Sequence, residues 1–141
     1  MYPQPETRIL VVEDERHIAR FLQFVLQQEG FMVDAVYNGE AAITILQSRR
    51  YSAVLLDLGL PGRSGIEVLR ILRSSKEHDA TIVIVLTATT SGDMLQQVMA
   101  AGASAHCPKP VAPSTLLRKL GELGVDAARC TALVGAREPG Q

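Results

Sequence analysis

The sequence predicts a small α/β domain: a (βα)5 doubly wound fold with a five-stranded parallel sheet and helices on both faces. Apolar runs begin near Ile9, Phe31, Ala53, Thr81 and Ala103, at intervals of 22, 22, 28 and 22 residues. Each interval holds about one strand plus a crossover helix. The segments between them repeat apolar residues with helical periodicity. Polar groups close four of the five runs, as expected where an α/β fold places its chemistry, at the carboxyl ends of its strands.

The first run, Ile9-Leu10-Val11-Val12, ends in Glu13 and Asp14. Ile18, Phe21, Leu22, Val25 and Leu26 then follow the i, i+3, i+4, i+7, i+8 pattern of one buried helix face, and Gly30 stands at its C-cap. Phe31 to Val36 reads as a strand carrying one charge, Asp34, and Ala42, Ile45 and Leu46 mark the second helix. Ala53-Val54-Leu55-Leu56 leads into Asp57 and a loop rich in Gly and Pro. Ser64 and Glu67 form an S-x-x-E capping box that opens a third helix with Val68, Leu69 and Leu72 on its inner face. Ile82 to Leu86 is closed by Thr87. Met94, Leu95, Val98 and Met99 follow as core positions of a fourth helix that ends at Gly102. Ala103 to Cys107 is short and weakly apolar, Lys109 lies just beyond, and Leu116, Leu117, Leu120 and Leu123 give a fifth helix before Gly124. The pattern fades from Val125 to Gln141, so residues 1–124 are expected to form the domain and 125–141 a tail or the start of a linker.

Composition predicts the strand order. The runs at 9–12, 53–56 and 82–86 are uninterrupted, as strands covered on both faces should be. The charged second strand and the weak fifth suit the edges. The order 2-1-3-4-5 satisfies both conditions and opens its binding crevice between strands 1 and 3.

At 141 residues with 47% hydrophobic content the chain suffices for one domain with a full core. A net charge of −1 gives no pull toward nucleic acid or an anionic membrane. The apolar runs are too short to span a bilayer, and Met1 to Arg8 lacks the apolar stretch of a signal peptide. Cys107 and Cys130 are the only cysteines, which indicates neither a disulfide framework nor a thiolate metal site. Cys107 lacks basic neighbours and reads as a buried, reduced thiol. A soluble protein of a reducing compartment, the cytoplasm, is the expectation.

The polar strand ends predict a site for a divalent cation and a phosphoryl group. A hard cation such as Mg²⁺ takes oxygen ligands and keeps several waters; Asp14 and Asp57 are placed to bind it directly and Glu13 through water. Asp57 is then a carboxylate nucleophile toward a phosphoryl donor, with the Thr87 hydroxyl and the Lys109 ammonium neutralising phosphoryl charge. Each residue alone has a plainer reading: an acidic helix start for Glu13 and Asp14, an Asx turn for Asp57, a cap for Thr87, a solvated loop charge for Lys109. Their convergence at the ends of strands 1, 3, 4 and 5 favours the site. Gly59, Gly62 and Gly65 are spaced G-x-x-G-x-x-G and read as turn residues rather than a phosphate loop.

Ile9-Leu10-Val11-Val12-Glu13-Asp14-Glu15, Leu56-Asp57-Leu58-Gly59-Leu60-Pro61, Leu86-Thr87-Ala88 and Lys109-Pro110 together resemble the CheY-like receiver domain of two-component response regulators, from about Arg8 to Gly124. The resemblance implies that Asp57 accepts a phosphoryl group from a sensor histidine kinase or a histidine phosphotransfer protein. It further implies that Glu13 and Asp14 are the acidic pair for Mg²⁺, with the Gly59 backbone carbonyl as a further ligand. Thr87 matches the switch hydroxyl, the Ala88 amide helps hold the phosphoryl group, and Lys109 pairs with it. Such a domain is a signalling switch rather than an enzyme, although it catalyses its own phosphotransfer and dephosphorylation. It passes its signal to an effector protein or an attached output domain through helix 4, strand 5 and helix 5, as a monomer or a weak phosphorylation-dependent dimer.

Two positions depart from the family. His106 stands where receivers carry Tyr or Phe, so either its titration makes the switch pH-sensitive or the switch is blunted. The stretch Gly102 to His106 lacks the acid used in one common dimer mode, and no DNA-reading helix or basic patch follows. A phosphorylation-independent interaction module is the alternative reading, set against the presence of every acid and the lysine. An aspartyl-nucleophile hydrolase of the haloacid-dehalogenase type would carry a second Asp where Gly59 stands.

Overall fold

A computed structural model describes residues 7–125. Five parallel strands, β1 (Arg8–Val12), β2 (Met32–Val36), β3 (Ala53–Asp57), β4 (Ile82–Thr87) and β5 (Ala105–Pro108), lie in the order 2-1-3-4-5. They alternate with helices α1 (Arg16–Gln28), α2 (Gly39–Ser48), α3 (Gly65–Arg73), α4 (Gly92–Ala100) and α5 (Pro113–Glu122), and a 3₁₀ turn at Lys76–His78 precedes β4. The charged strand and the weak one occupy the edges, as expected. Residues 126–141, and with them nearly all of the expected tail and Cys130, lie outside the described part.

Successive residues of a strand point to opposite faces, and the two cores divide accordingly. Ile9, Val11, Leu55, Ile84, Leu86 and Cys107 pack with Ala19, Leu22 and Leu26 of α1 and Leu116 and Leu120 of α5. Leu10, Val12, Val54, Leu56, Val83 and Val85 pack on the other face with Ala42 and Leu46, with Val68, Leu69 and Leu72, and with Val98 of α4. Burial raises the pKa of the Cys107 thiol, so it is the inert core thiol expected.

Helix ends follow their local chemistry. Ser64 and Glu67 make the reciprocal capping box of α3, and Asn38 and Ser91 cap α2 and α4. Gly30, Gly102 and Gly124 all have positive φ, the left-handed C-cap that a side chain would strain. At Gly102 a Cβ would also meet Arg73 Cγ at 2.6 Å. Arg73 needs that space, because its Nε donates to Gly102 O and its Nη1 to His78 O, both at 2.8 Å.

Two apolar stripes are narrower than their periodicity predicts. On α1 the buried line is Ala19, Leu22 and Leu26, while Phe21 is 47% exposed at its margin. On α4 only Val98 is buried; Met94 and Met99, expected in the core, are exposed and Leu95 is half-buried. This helix lies toward the β5 edge, where Ala105 and His106 are themselves half-buried, so there is little apolar surface for it to cover.

Candidate functional site

Strand alternation decides which polar side chains meet. Glu13 comes two residues after Val11, Asp57 two after Leu55, and Lys109 two after Cys107, and all three precursors face the α1/α5 core. Thr87 comes two after Val85 and so takes the α2–α4 side. The pairing persists past the strand ends: Glu13 N donates to Val36 O at 3.1 Å and Lys109 N to Thr87 O at 3.0 Å. Lys109 Nζ therefore reaches both acids, 3.1 Å from Asp57 Oδ1 and 3.2 Å from Glu13 Oε1.

Asp57 is 4% exposed and Glu13 fully buried, whereas Asp14 lies open to solvent. The Gly59 amide donates to Asp57 Oδ1 at 3.0 Å. Both contacts converge on Oδ1, and no described hydrogen bond uses Oδ2. The Glu15 amide donates to Glu13 Oε2 at 3.2 Å, but no donor is aligned for a hydrogen bond to Glu13 Oε1. Burial pushes the Glu13 carboxyl upward and the nearby Asp57 charge adds to this, outweighing the Glu15 amide and Lys109. Burial disfavours the Lys109 ammonium, yet Asp57 and Glu13 more than offset that and hold its pKa above the ordinary lysine value.

Glu13, Asp14 and Asp57 each offer a carboxylate oxygen, all within 4.8 Å of one another. The all-oxygen donor set and the mutual repulsion of the carboxylates fit a hard divalent cation. The cluster opens into a cavity of about 400 Å³ floored by Asp57, Gly59, Thr87 and Lys109. Ala88 lies on its wall, and Met94, read from sequence as core, lines it instead. The Thr87 hydroxyl accepts from the Thr89 amide at 3.0 Å; in that role it retains its own proton for donation. His106 sits in β5 opposite Val85, half-buried, and its imidazole has no hydrogen-bond or ion-pair partner among the described residues.

One contributor escaped the sequence reading. Gly65, which the sequence reads as a turn residue, is the first residue of α3 and presses it against the end of β3. A Cβ at this position would collide with the Asp57 carbonyl oxygen and stand 2.8 Å from Leu58 Cα. The capping box beginning at Ser64 was the available signal, since it fixed where α3 starts.

The family model for the response regulator receiver domain matches residues 9–121. The chain belongs to that family. Among curated relatives, the transcriptional regulatory protein ResD of Bacillus subtilis is 38% identical over 118 residues, which cover 84% of this chain and 48% of ResD. The uncharacterized transcriptional regulatory protein YkoG of the same organism is 43% identical over 79% of this chain and 48% of its own length. The receiver thus spans about half the length of the curated relatives it matches. Among solved structures, the chemotaxis response regulator CheY4 of Vibrio cholerae aligns with a TM-score of 0.80 at 28% identity, over 84% of this chain and 99% of that one. The receiver domain of a Luxo repressor protein from Vibrio parahaemolyticus aligns at 0.79 and 27%, over 92% and 98%. As a receiver, the chain is a component of two-component signalling rather than a conventional enzyme, and it presents the acidic cluster of its family. No helix among the described residues is long and apolar enough to cross a membrane.

Proposed function

We propose that this receiver takes a phosphoryl group onto Asp57 and uses the aspartyl phosphate to change what its surface binds. The observation that carries the reading is the Lys109 bridge between Asp57 and Glu13, at 3.1 and 3.2 Å, beside three converging carboxylates. Asp57 Oδ2 attacks phosphorus; the new O–P bond forms as the bond to the donor breaks and the donor departs with that electron pair. In such transfers the protein acts mainly by positioning and charge neutralisation. Lys109 pairs with the incoming phosphoryl oxygens, the Thr87 hydroxyl donates its retained proton to one of them, and the exposed Ala88 amide supplies a further donor. Glu13, Asp14, Asp57 and the Gly59 carbonyl would hold Mg²⁺, which when bound neutralises phosphoryl charge. The same groups serve the hydrolysis that resets the switch.

The donor is a sensor histidine kinase or a histidine phosphotransfer protein, and the readout an effector or an output domain, all in the cytoplasm, with residues 1–124 as the receiver unit. The relatives are transcriptional regulators, one of them named as a DNA-binding response regulator in Mycobacterium leprae. The responding face is α4–β5–α5, which holds the loosely buried α4 and His106. The half-buried His106 ring, without a polar partner among the described residues, favours a blunted or pH-dependent switch.

Intact mass after incubation with Mg²⁺ and acetyl phosphate tests this. The expected result is one added phosphoryl group, absent with EDTA and in Asp57→Asn. A folded protein that gains none from acetyl phosphate or from a panel of phosphorylated kinases would overturn the reading in favour of a phosphorylation-independent module.

A further inference from the structure

Two large apolar side chains line the cavity at Asp57, and they are held differently. Leu58 packs back against the core on the α2, α3 and α4 face of the sheet. Met94, in the first turn of α4, belongs to neither core; it is 37% exposed and lines the cavity. Gly59 and Ala88, which share that lining, add at most a methyl group.

Three side-chain hydroxyls connect Met94 to Thr87. Thr87 Oγ1 accepts from the Thr89 amide at 3.0 Å, Thr89 Oγ1 from the Ser91 amide at 3.0 Å, and Ser91 Oγ from the Met94 amide at 3.3 Å. The last of these is the N-cap of α4. This ladder fixes the first turn of a helix that is otherwise loosely buried, and fixes it relative to a hydroxyl of the phosphoryl site.

An aspartyl phosphate is lost by in-line attack of water. The water oxygen bonds to phosphorus on the side away from Asp57 Oδ2, the Oδ2–P bond breaks, and its electron pair returns to the carboxylate. One water proton stays on the attacking oxygen and the other passes to a phosphoryl oxygen, so dihydrogen phosphate leaves. Asp57 lies on the cavity floor, so this water enters through the open part of the cavity. An unbranched thioether adapts to fill such a gap, and excluding water protects a reactive intermediate from hydrolysis.

We propose that Met94 lies over the phosphoryl group and sets the lifetime of the aspartyl phosphate by limiting access of the attacking water. The role depends on phosphorylation of Asp57 as proposed above.

Wild type, Met94→Ala and Met94→Leu would each be phosphorylated with acetyl phosphate and Mg²⁺, desalted rapidly into Mg²⁺ buffer and followed by intact mass. Met94→Ala should lose its phosphoryl group roughly threefold faster or more. Met94→Leu, which keeps most of the apolar volume, should stay within about twofold of wild type. In the wild type, the ¹³C-labelled Met94 methyl resonance should shift on phosphorylation, and this reading stands even if a variant fails to fold. Equal lifetimes in wild type and Met94→Ala, a Leu variant as short-lived as the Ala one, or an unmoved Met94 methyl would each overturn the proposal and leave phosphorylation of Asp57 intact. A wild type that gains no phosphoryl group would overturn both.

Discussion

Two acids on neighbouring strands, Glu13 just past β1 and Asp34 within β2, sit in opposite situations. Asp34 Oδ2 accepts from Tyr51 Oη at 2.6 Å and from Arg49 Nη1 at 2.8 Å, with Arg8 3.6 Å away. Burial raises its pKa, but the bonds from Tyr51 and Arg49 outweigh that and hold the carboxyl below its ordinary value. Tyr51 responds in kind: burial and Asp34 push its phenol upward. Glu13 is more deeply buried and faces Asp57, and its Oε1 meets only the Lys109 ammonium, at 3.2 Å, which Asp57 shares. One acid is satisfied and ties an edge strand to the start of β3. The other is buried beside a like charge, with the Glu15 amide on one oxygen and the Lys109 ammonium near the other, an arrangement suited to an added cation.

Neutralising each acid should separate the two roles. Glu13→Gln should weaken Mg²⁺ binding roughly tenfold or more, read by a metal titration, while Asp34→Asn leaves it unchanged; equal losses would erase the distinction. Urea denaturation should then show the reverse order. Asp34→Asn costs about 1 kcal/mol after allowance for its partial solvent contact. Glu13→Gln in metal-free buffer costs less than that, because relief of the repulsion from Asp57 offsets the lost Lys109 contact. The Asp34 contribution also has a pH signature. A carboxyl held below its unfolded value stabilises the fold fully above about pH 4 and loses that effect as the pH falls through its folded pKa. The wild-type advantage over Asp34→Asn should therefore shrink in acid, and a constant difference down to pH 2.5 would contradict the pairing. Arg49→Ala should give the smallest effect, a loss less than that of Asp34→Asn and reduced by salt, since this guanidinium is half-exposed.

Most of the fold was legible because strand burial writes itself into sequence. Val-, Ile- and Leu-rich runs of four or five residues have few other uses, and their polar terminators mark one edge of the sheet. The candidate site residues were named from the same terminators, and Glu13, Asp14 and Asp57 do converge. Burial on α4 did not, because periodicity reports which side of a helix is apolar and not how much sheet lies beneath it. Met94 and Val98 look alike in sequence, yet one lines the cavity beside Asp57 and the other fills the core. His78 was silent for a related reason: its burial depends on the cleft between α2 and α3, a contact between elements more than 20 residues apart. The division between Glu13, Asp57 and Lys109 on one side and Thr87 on the other was available from strand alternation alone, by counting back to the last core residue of each strand.

That alternation bears on which genetic changes the domain tolerates. Exchanging Leu55 for Ile or Val11 for Leu alters packing and leaves every side chain facing as before. Deleting one residue from Ala53–Leu56 with β4 kept in place would turn Asp57 half a revolution, away from Lys109 and toward the layer of Thr87. Inserting one between Ile9 and Val12 would do the same to Glu13. Length within these strands is thus a stricter requirement than side-chain identity, and surviving variants of this chain should carry their gaps in the loops.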